Sequence, residues 1–252
     1  MAMRVYERLA AIKAPQQRLH VSLLPNARSP FKQKVTAPAH RLKMLTLAIT
    51  DTPLEISELE LWQTPPVYSI DSVRTLRARY PQDVLIFIMG MDSARSLAAW
   101  REGLALTDYV HLWVFDRHDD TATHDKAPAT TKTTADTLSF TDLLSTDLSL
   151  ADLAALTAEL PHALQHQVTS SLTDLVPAAV TSDQDKRLKT HAQGRSYIDT
   201  RRVPALSSTQ IRQQIGQQAA PLSPHNLSKD FYHQLNPQVY HYIITHQLYS
   251  KA

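Results

Sequence analysis

The chain has 252 residues, 43% hydrophobic and 20% charged, with a formal net charge of +2; this is the make-up of a soluble globular protein with a real core, and the charge is too small to argue for nucleic acid. It holds no cysteine and only four glycines, which excludes disulfides, thiolate metal sites, cysteine nucleophiles and a glycine-rich phosphate loop, and makes a cytoplasmic location the simpler expectation. No apolar run approaches the ~20 residues of a membrane span, and Met1–Tyr6 lacks the hydrophobic core of a signal peptide.

In chain order, residues 3–13 read as a helix, with Val5, Leu9 and Ile12 on one face, ended by Pro15. Leu19–Leu24 is a short apolar run closed by Pro25, the pattern of a buried parallel strand. The loop that follows includes Asn26 and Lys32, and from Arg28 to Lys43 there are five Lys/Arg and no acid. That excess suits an anionic ligand held by a post-strand loop, although a solvated basic loop has the same composition. His40–Thr50 reads as a helix with Leu42, Leu45 and Ile49 on a stripe, and Leu54–Leu61 as a strand region. Ser69 is placed to cap a further helix with Asp71 in its first turn, Ile70, Val73, Leu76 and Tyr80 buried, and Pro81 as its stop. Val84–Met89 is the most strand-like run in the chain. It ends in Gly90-Met91-Asp92-Ser93, where a helix carrying Leu97, Trp100 and Leu104 is expected to start, and Tyr109–Phe115 is a further strand.

Strands alternating with helices of 10–15 residues predict an α/β fold, a Rossmann-like doubly wound sheet of mostly parallel strands. Ligands of such sheets sit beyond the carboxyl ends of the strands. Residues 117–195 change character and read as a variable insertion in a single domain spanning 1–252. Thr121–Thr137 is poor in large apolar residues, while Leu138–Val180 regains leucines and predicts one or two helices, broken at Pro161. His162 and His166 stand four apart there, but no glutamate follows the first of them, so a solvated helix face is the simpler reading than a metal site.

After Arg195–Leu206, which is extended in character, comes Leu206-Ser207-Ser208-Thr209-Gln210-Ile211-Arg212. Ile211 and Ile215 start a short helix, and Ser207 or Ser208 is placed to cap it. A helix N-terminus, hydroxyl donors and a guanidinium fork are the composition of a phosphate site. They are equally the composition of a capped helix with a surface arginine. At the end, Asn236-Pro237 opens a helix with Val239, Tyr242, Ile243 and His246.

As an ordered set these pieces resemble bacterial nicotinate-nucleotide adenylyltransferases, of the nucleotidyltransferase α/β phosphodiesterase superfamily. The likeness covers most of the chain outside residues 117–195 and about 217–233. It runs through Leu23-Leu24-Pro25-Asn26, Arg41 and Met44-Leu45, Pro66-Val67-Tyr68-Ser69, Ile88–Ser93, Trp100, Leu206–Arg212 and Tyr242-Ile243…Leu248-Tyr249.

The resemblance implies ATP and nicotinate mononucleotide as ligands, Mg²⁺ with the ATP, no nucleic acid or membrane partner, and a possible homo-oligomer. It implies phosphate contacts from Lys32, Arg212, Asn26, Ser207, Ser208 and Thr209, and adenosine contacts from Gly90 and Asp92. Tyr68, Ser69 and Trp100 are expected to frame the pyridine nucleotide, and no residue is expected to hold a metal directly. Two features depart from the family. Phe31 stands where a histidine is usual, and the Gly-Gly-Thr-Phe-Asp-Pro-x-His-x-Gly-His segment with its central strand is absent. A native start upstream is one expectation. A nucleotide-binding remnant, or a related nucleotidyltransferase with another phosphate acceptor, is the alternative.

Overall fold

A computed structural model describes residues 1–28, 36–116, 150–176, 194–199, 211–213, 215 and 235–249. Lys32, Ser207, Ser208, Thr209 and the Thr-rich stretch 121–137 lie outside the described residues. The chain divides into two compact units. One comprises Met1, Met3–Leu19 and Tyr68–Ala205, the other Ala2, His20–Val67 and Leu206–Ala252.

Among the described residues every strand pairing is parallel, as the alternation of strands and helices predicts. In the first unit β3 (Ile86–Gly90), β4 (His111–Phe115), β5 (Val168–Thr169) and β6 (Ser196–Asp199) form one sheet in the order β3-β4-β6-β5. Side chains on a strand alternate between faces, and β4 is apolar on both. Leu112 and Val114 join a core with Ile70 and Val73 of α3 (Ser69–Arg79) and Met91 and Ala94 of α4 (Met91–Arg95). Trp113 and Phe115 join a second core with Val5 and Leu9 of α1 (Ala2–Ile12). β3 splits likewise, Phe87 and Met89 packing on the first core and Ile86 and Ile88 on the second. A near-continuous apolar run is what a central parallel strand between two helical layers requires. Each large side chain buried there stabilises the fold by roughly 1.5–3 kcal/mol.

Pro161 separates α5 (Leu150–Ala158) from α6 (His162–Gln165), the break expected of it, and Leu160 and Leu164 pack on the first core. The two-residue strand β5 behind them was not legible. Its pair Val168-Thr169 is too short to show a period, and it is a strand only because it pairs with β6.

In the second unit β1 (Val21–Leu23) pairs with β2 (Leu54–Ile56). The helix α2 (Pro38–Ala48) packs on α7 (Pro237–Thr245), whose Val239, Tyr240 and Ile243 are buried with Ile215. The side chains of α2 that reach this core are Met44 and Leu47, with His40 donating or accepting at 2.9 Å from the Tyr242 hydroxyl. The expected stripe of Leu42, Leu45 and Ile49 is half-buried, as are Met44 and Leu47. Among the described residues β1 pairs with β2 alone.

Three local expectations are corrected. Tyr68, not Ser69, is the N-cap of α3. Its backbone is extended and its carbonyl accepts from the amides of Asp71 and Ser72, at 3.0 and 3.3 Å, while no side chain caps. Tyr80 is 42% exposed, because it sits at the C-cap past the last helical turn. The helix expected after Gly90 is three pieces: α4, then the 3₁₀ turns Leu97–Ala99 and Gly103–Asp108. The chain breaks between them with Trp100 extended and Glu102 left-handed at φ 48°. Leu97 and Leu106 thereby reach one core, and Leu104 is left 37% exposed.

Candidate functional site

In the second unit the post-strand loop is held by one arginine. Asn26 stands three residues past the end of β1, and Arg41, one turn into α2, reaches back to it. The Arg41 guanidinium donates to the Asn26 side-chain oxygen at 3.3 Å, to the Asn26 carbonyl, and to the Ala27 carbonyl at 2.8 Å. Burial holds the Arg41 guanidinium below its ordinary pKa, with Tyr249 acting in the opposite direction. Because the Asn26 oxygen is taken, its NH₂ group, a pure donor, is the end left for a ligand.

Tyr249 ties this loop to the helical residues 211–213. The Arg212 guanidinium carbon lies 5.2 Å from the centroid of the Tyr249 ring, within cation–π range. The Tyr249 hydroxyl accepts from Thr36 Oγ1 at 3.0 Å. Ile211, Arg212, Gln213 and Ile215 are helical, as the i, i+4 isoleucine spacing predicts. Asn26, Arg41, Tyr249 and Arg212 are thus linked within one unit. Nothing in the sequence alone marks the roles of Arg41 and Tyr249. Arg41 belongs to a basic run that could equally be solvated, and Tyr249 lies 37 positions from the arginine it meets, a partnership no local spacing records.

In the first unit the polar residues expected at the carboxyl end of β3 are there. Gly90 ends the strand and is buried, and Asp92 is exposed in the first turn of α4. Gly90 has φ −86°, so its place does not depend on glycine's left-handed freedom. The turn Trp100–Gly103 is pinned to α3 at two points, its N-cap and its middle. Arg101 places its guanidinium carbon 4.7 Å from the Tyr68 ring centroid. Glu102 accepts from Arg74 at 2.5 and 3.3 Å, and that bond holds its carboxyl below the usual range. Trp100 is half-buried on the same core as Tyr68 and donates its indole N–H to Ser96 Oγ at 3.2 Å. Tyr68, Ser69 and Trp100 therefore belong to one joined corner of the first unit. Arg101 is its unforeseen member, since an arginine in a turn carries no pattern.

The same sheet edge carries two buried carboxylates, Asp116 after β4 and Asp199 at the end of β6. Asp199 pairs with Arg8 of α1 at 3.2 Å. Arg8 also donates to the Tyr197 hydroxyl at 2.6 Å and lies over the Trp113 and Tyr197 rings at 5.5 and 5.2 Å. A pair 191 positions apart gives no sequence signal.

Parallel strands with helices packed against them make this an α/β protein. The chain belongs to the cytidylyltransferase-like family, whose model matches residues 9–214. It is similar to proteins described as "probable nicotinate-nucleotide adenylyltransferase". With that of Pseudoalteromonas atlantica it shares 49% identity over 76 residues, 30% of this chain and 35% of the relative. With that of Symbiobacterium thermophilum it shares 38% over 122 residues, 44% of this chain and 59% of the relative. The chain thus spans between about a third and three-fifths of the length of these two relatives. A longer alignment, 25% identical over 231 residues, covers 91% of this chain and 84% of the Idiomarina loihiensis protein. In fold the chain is similar to Plasmodium falciparum nicotinic acid mononucleotide adenylyltransferase complexed with NaAD, at TM-score 0.52 and 14% identity, over 98% of this chain and 90% of that one. Among the described residues no helix is long and apolar enough to cross a membrane.

Proposed function

We propose that the chain is an adenylyltransferase that joins the AMP of ATP to nicotinate mononucleotide, giving deamido-NAD and pyrophosphate in NAD biosynthesis. The observation that carries this reading is the run of relatives bearing that name, one of them aligned along 91% of this chain. The link of Asn26, Arg41, Tyr249 and Arg212 within one unit supports it.

In the proposed reaction a 5′-phosphate oxygen of the mononucleotide bonds to the α-phosphorus of ATP as the bond to pyrophosphate breaks. Catalysis is then positioning and neutralisation of charge. Arg212 and Lys32 are the cations for the triphosphate, with Ser207, Ser208 and Thr209 as neutral donors at the helix N-terminus. Asn26, turned by Arg41, offers its NH₂ group to the reacting phosphate. Gly90 and Asp92 serve the adenosine, the carboxylate accepting from ribose hydroxyls, and Tyr68, Ser69 and Trp100 the pyridine nucleotide. Among the described residues no three His, Cys, Asp or Glu side chains cluster as metal ligands. Mg²⁺ is expected with the ATP, carried mainly by substrate phosphates and water, where it would polarise the transferring group.

The test is pyrophosphate release by the purified chain from ATP, Mg²⁺ and nicotinate mononucleotide. Turnover is the expected outcome, with Arg212→Ala lowering kcat/KM by about 10²-fold. ATP binding without turnover would assign the chain to the binding remnants. Undiminished activity in Arg212→Ala would return that residue to an ordinary surface role.

A further inference from the structure

Tyr249 stands out by its backbone and by what its side chain joins. After α7 the chain takes two left-handed steps at non-glycine residues, Gln247 at φ 50° and Tyr249 at φ 71°. Such residues are uncommon and persist where the surroundings over-determine them. Here the surroundings are the core of Ile215, Val239, Tyr240 and Ile243, on which Ile211, Leu248 and Tyr249 all pack. The hydroxyl is fixed by Thr36 at 3.0 Å and the ring lies 5.2 Å from the Arg212 guanidinium carbon. Among the described residues Arg212 meets no carboxylate and donates no hydrogen bond, so the ring is its contact there. A cation–π contact with a ring uses none of the guanidinium's N–H groups, so it can hold the group while they fork onto a phosphate.

We infer that Tyr249 is the positioning residue for Arg212, holding the guanidinium over its ring so that the in-plane N–H groups are presented to a polyphosphate. This rests on the proposed phosphate role of Arg212. It adds that the site selects arginine over lysine, because an ammonium has no planar surface or fork to orient.

The experiment is titration calorimetry of the full chain with inorganic tripolyphosphate, the fold of each variant checked by circular dichroism. Tyr249→Leu is expected to weaken binding about three- to tenfold, the range of a partly exposed cation–π contact. Tyr249→Phe keeps the ring and should stay within about twofold of the parent. In the Arg212→Ala background Tyr249→Leu should have no further effect, since a residue acting through Arg212 couples fully to it. If Arg212→Ala leaves affinity unchanged, the phosphate site itself is refuted. If Arg212→Ala weakens binding while Tyr249→Leu does not, or if the two losses simply add, the site stands and the positioning role falls. Should Tyr249→Leu lose its fold, Arg212→Lys makes the same test, and full affinity in that variant would overturn the inference.

Discussion

His111 shows how a single side chain ties this fold to pH. It begins β4, and its Nδ1 accepts from the Arg195 backbone N–H at 2.8 Å, which requires the neutral ring. Burial, with Arg77 and Arg195 nearby, brings its pKa down to about 4. The folded state therefore binds the proton less readily than the unfolded chain, whose histidine titrates near the ordinary value of about 6.5. The contribution to stability is complete above pH ~6.5, is lost as pH falls towards 4, and is constant below that. Its size is on the order of 3 kcal/mol, less what the ring's partial exposure screens. Chemical denaturation of the parent and His111→Gln at several pH values checks this: the parent should weaken between pH 6.5 and 4 and the variant should weaken less. Parallel curves would show that His111 is not the group responsible. Nothing in His111-Leu112-Trp113-Val114-Phe115 marks the histidine as unusual, since its environment comes from Arg77 and Arg195, far off in the chain. At this scale the sequence showed which residue types were available, Asn26, Arg212 and Asp92 among them. Partnerships such as Arg8 with Asp199, or Arg212 with Tyr249, exist only after folding.

The turn Trp100–Gly103 carries the next scale. A β-carbon on Gly103 would stand 2.1 Å from the Leu97 carbonyl oxygen and 2.8 Å from the Trp100 β-carbon, closer than real contacts allow. Gly103→Ala must therefore push the turn apart and move Trp100. A loss of stability of about 1–3 kcal/mol is expected from overpacking, and the Trp100 corner should suffer with it. Under the proposed function, KM for nicotinate mononucleotide should rise several-fold more than KM for ATP. Steady-state kinetics with each substrate varied decides this, and equal effects on both would argue against a role for the corner in the pyridine nucleotide. The elements themselves were legible wherever a period or a punctuating residue marked them. α1, α3, α7, β3 and β4 all occur where spacing, Pro15, Pro81 or Asn236-Pro237 put them, give or take two residues. The failure between Gly90 and Tyr109 has a physical cause. Leu97, Trp100 and Leu104 satisfy a helical period, yet the core is better filled by Leu97 and Leu106, and a broken chain reaches both.

For the whole molecule, the separate cores of the two units predict separable stability. Ile243 is buried among Ile215, Val239 and Tyr240, whereas β4 is buried among residues of the first unit. Ile243→Ala should cost about 2–5 kcal/mol where it acts, which amide hydrogen exchange can localise. Faster exchange in α2 and α7 with unchanged protection in β4 is the expected result. A uniform rise across both would mean that the chain opens as one cooperative body.

The Arg101 guanidinium on the Tyr68 ring has one last implication for recognition. That ring already carries a cation, so under the proposed function a pyridine ring settling on the same face would be trading places with it. Affinity would then reflect only the difference between the two stacks. The evicted guanidinium, still tethered beside Trp100, would be at liberty to meet the newcomer's own negative charge.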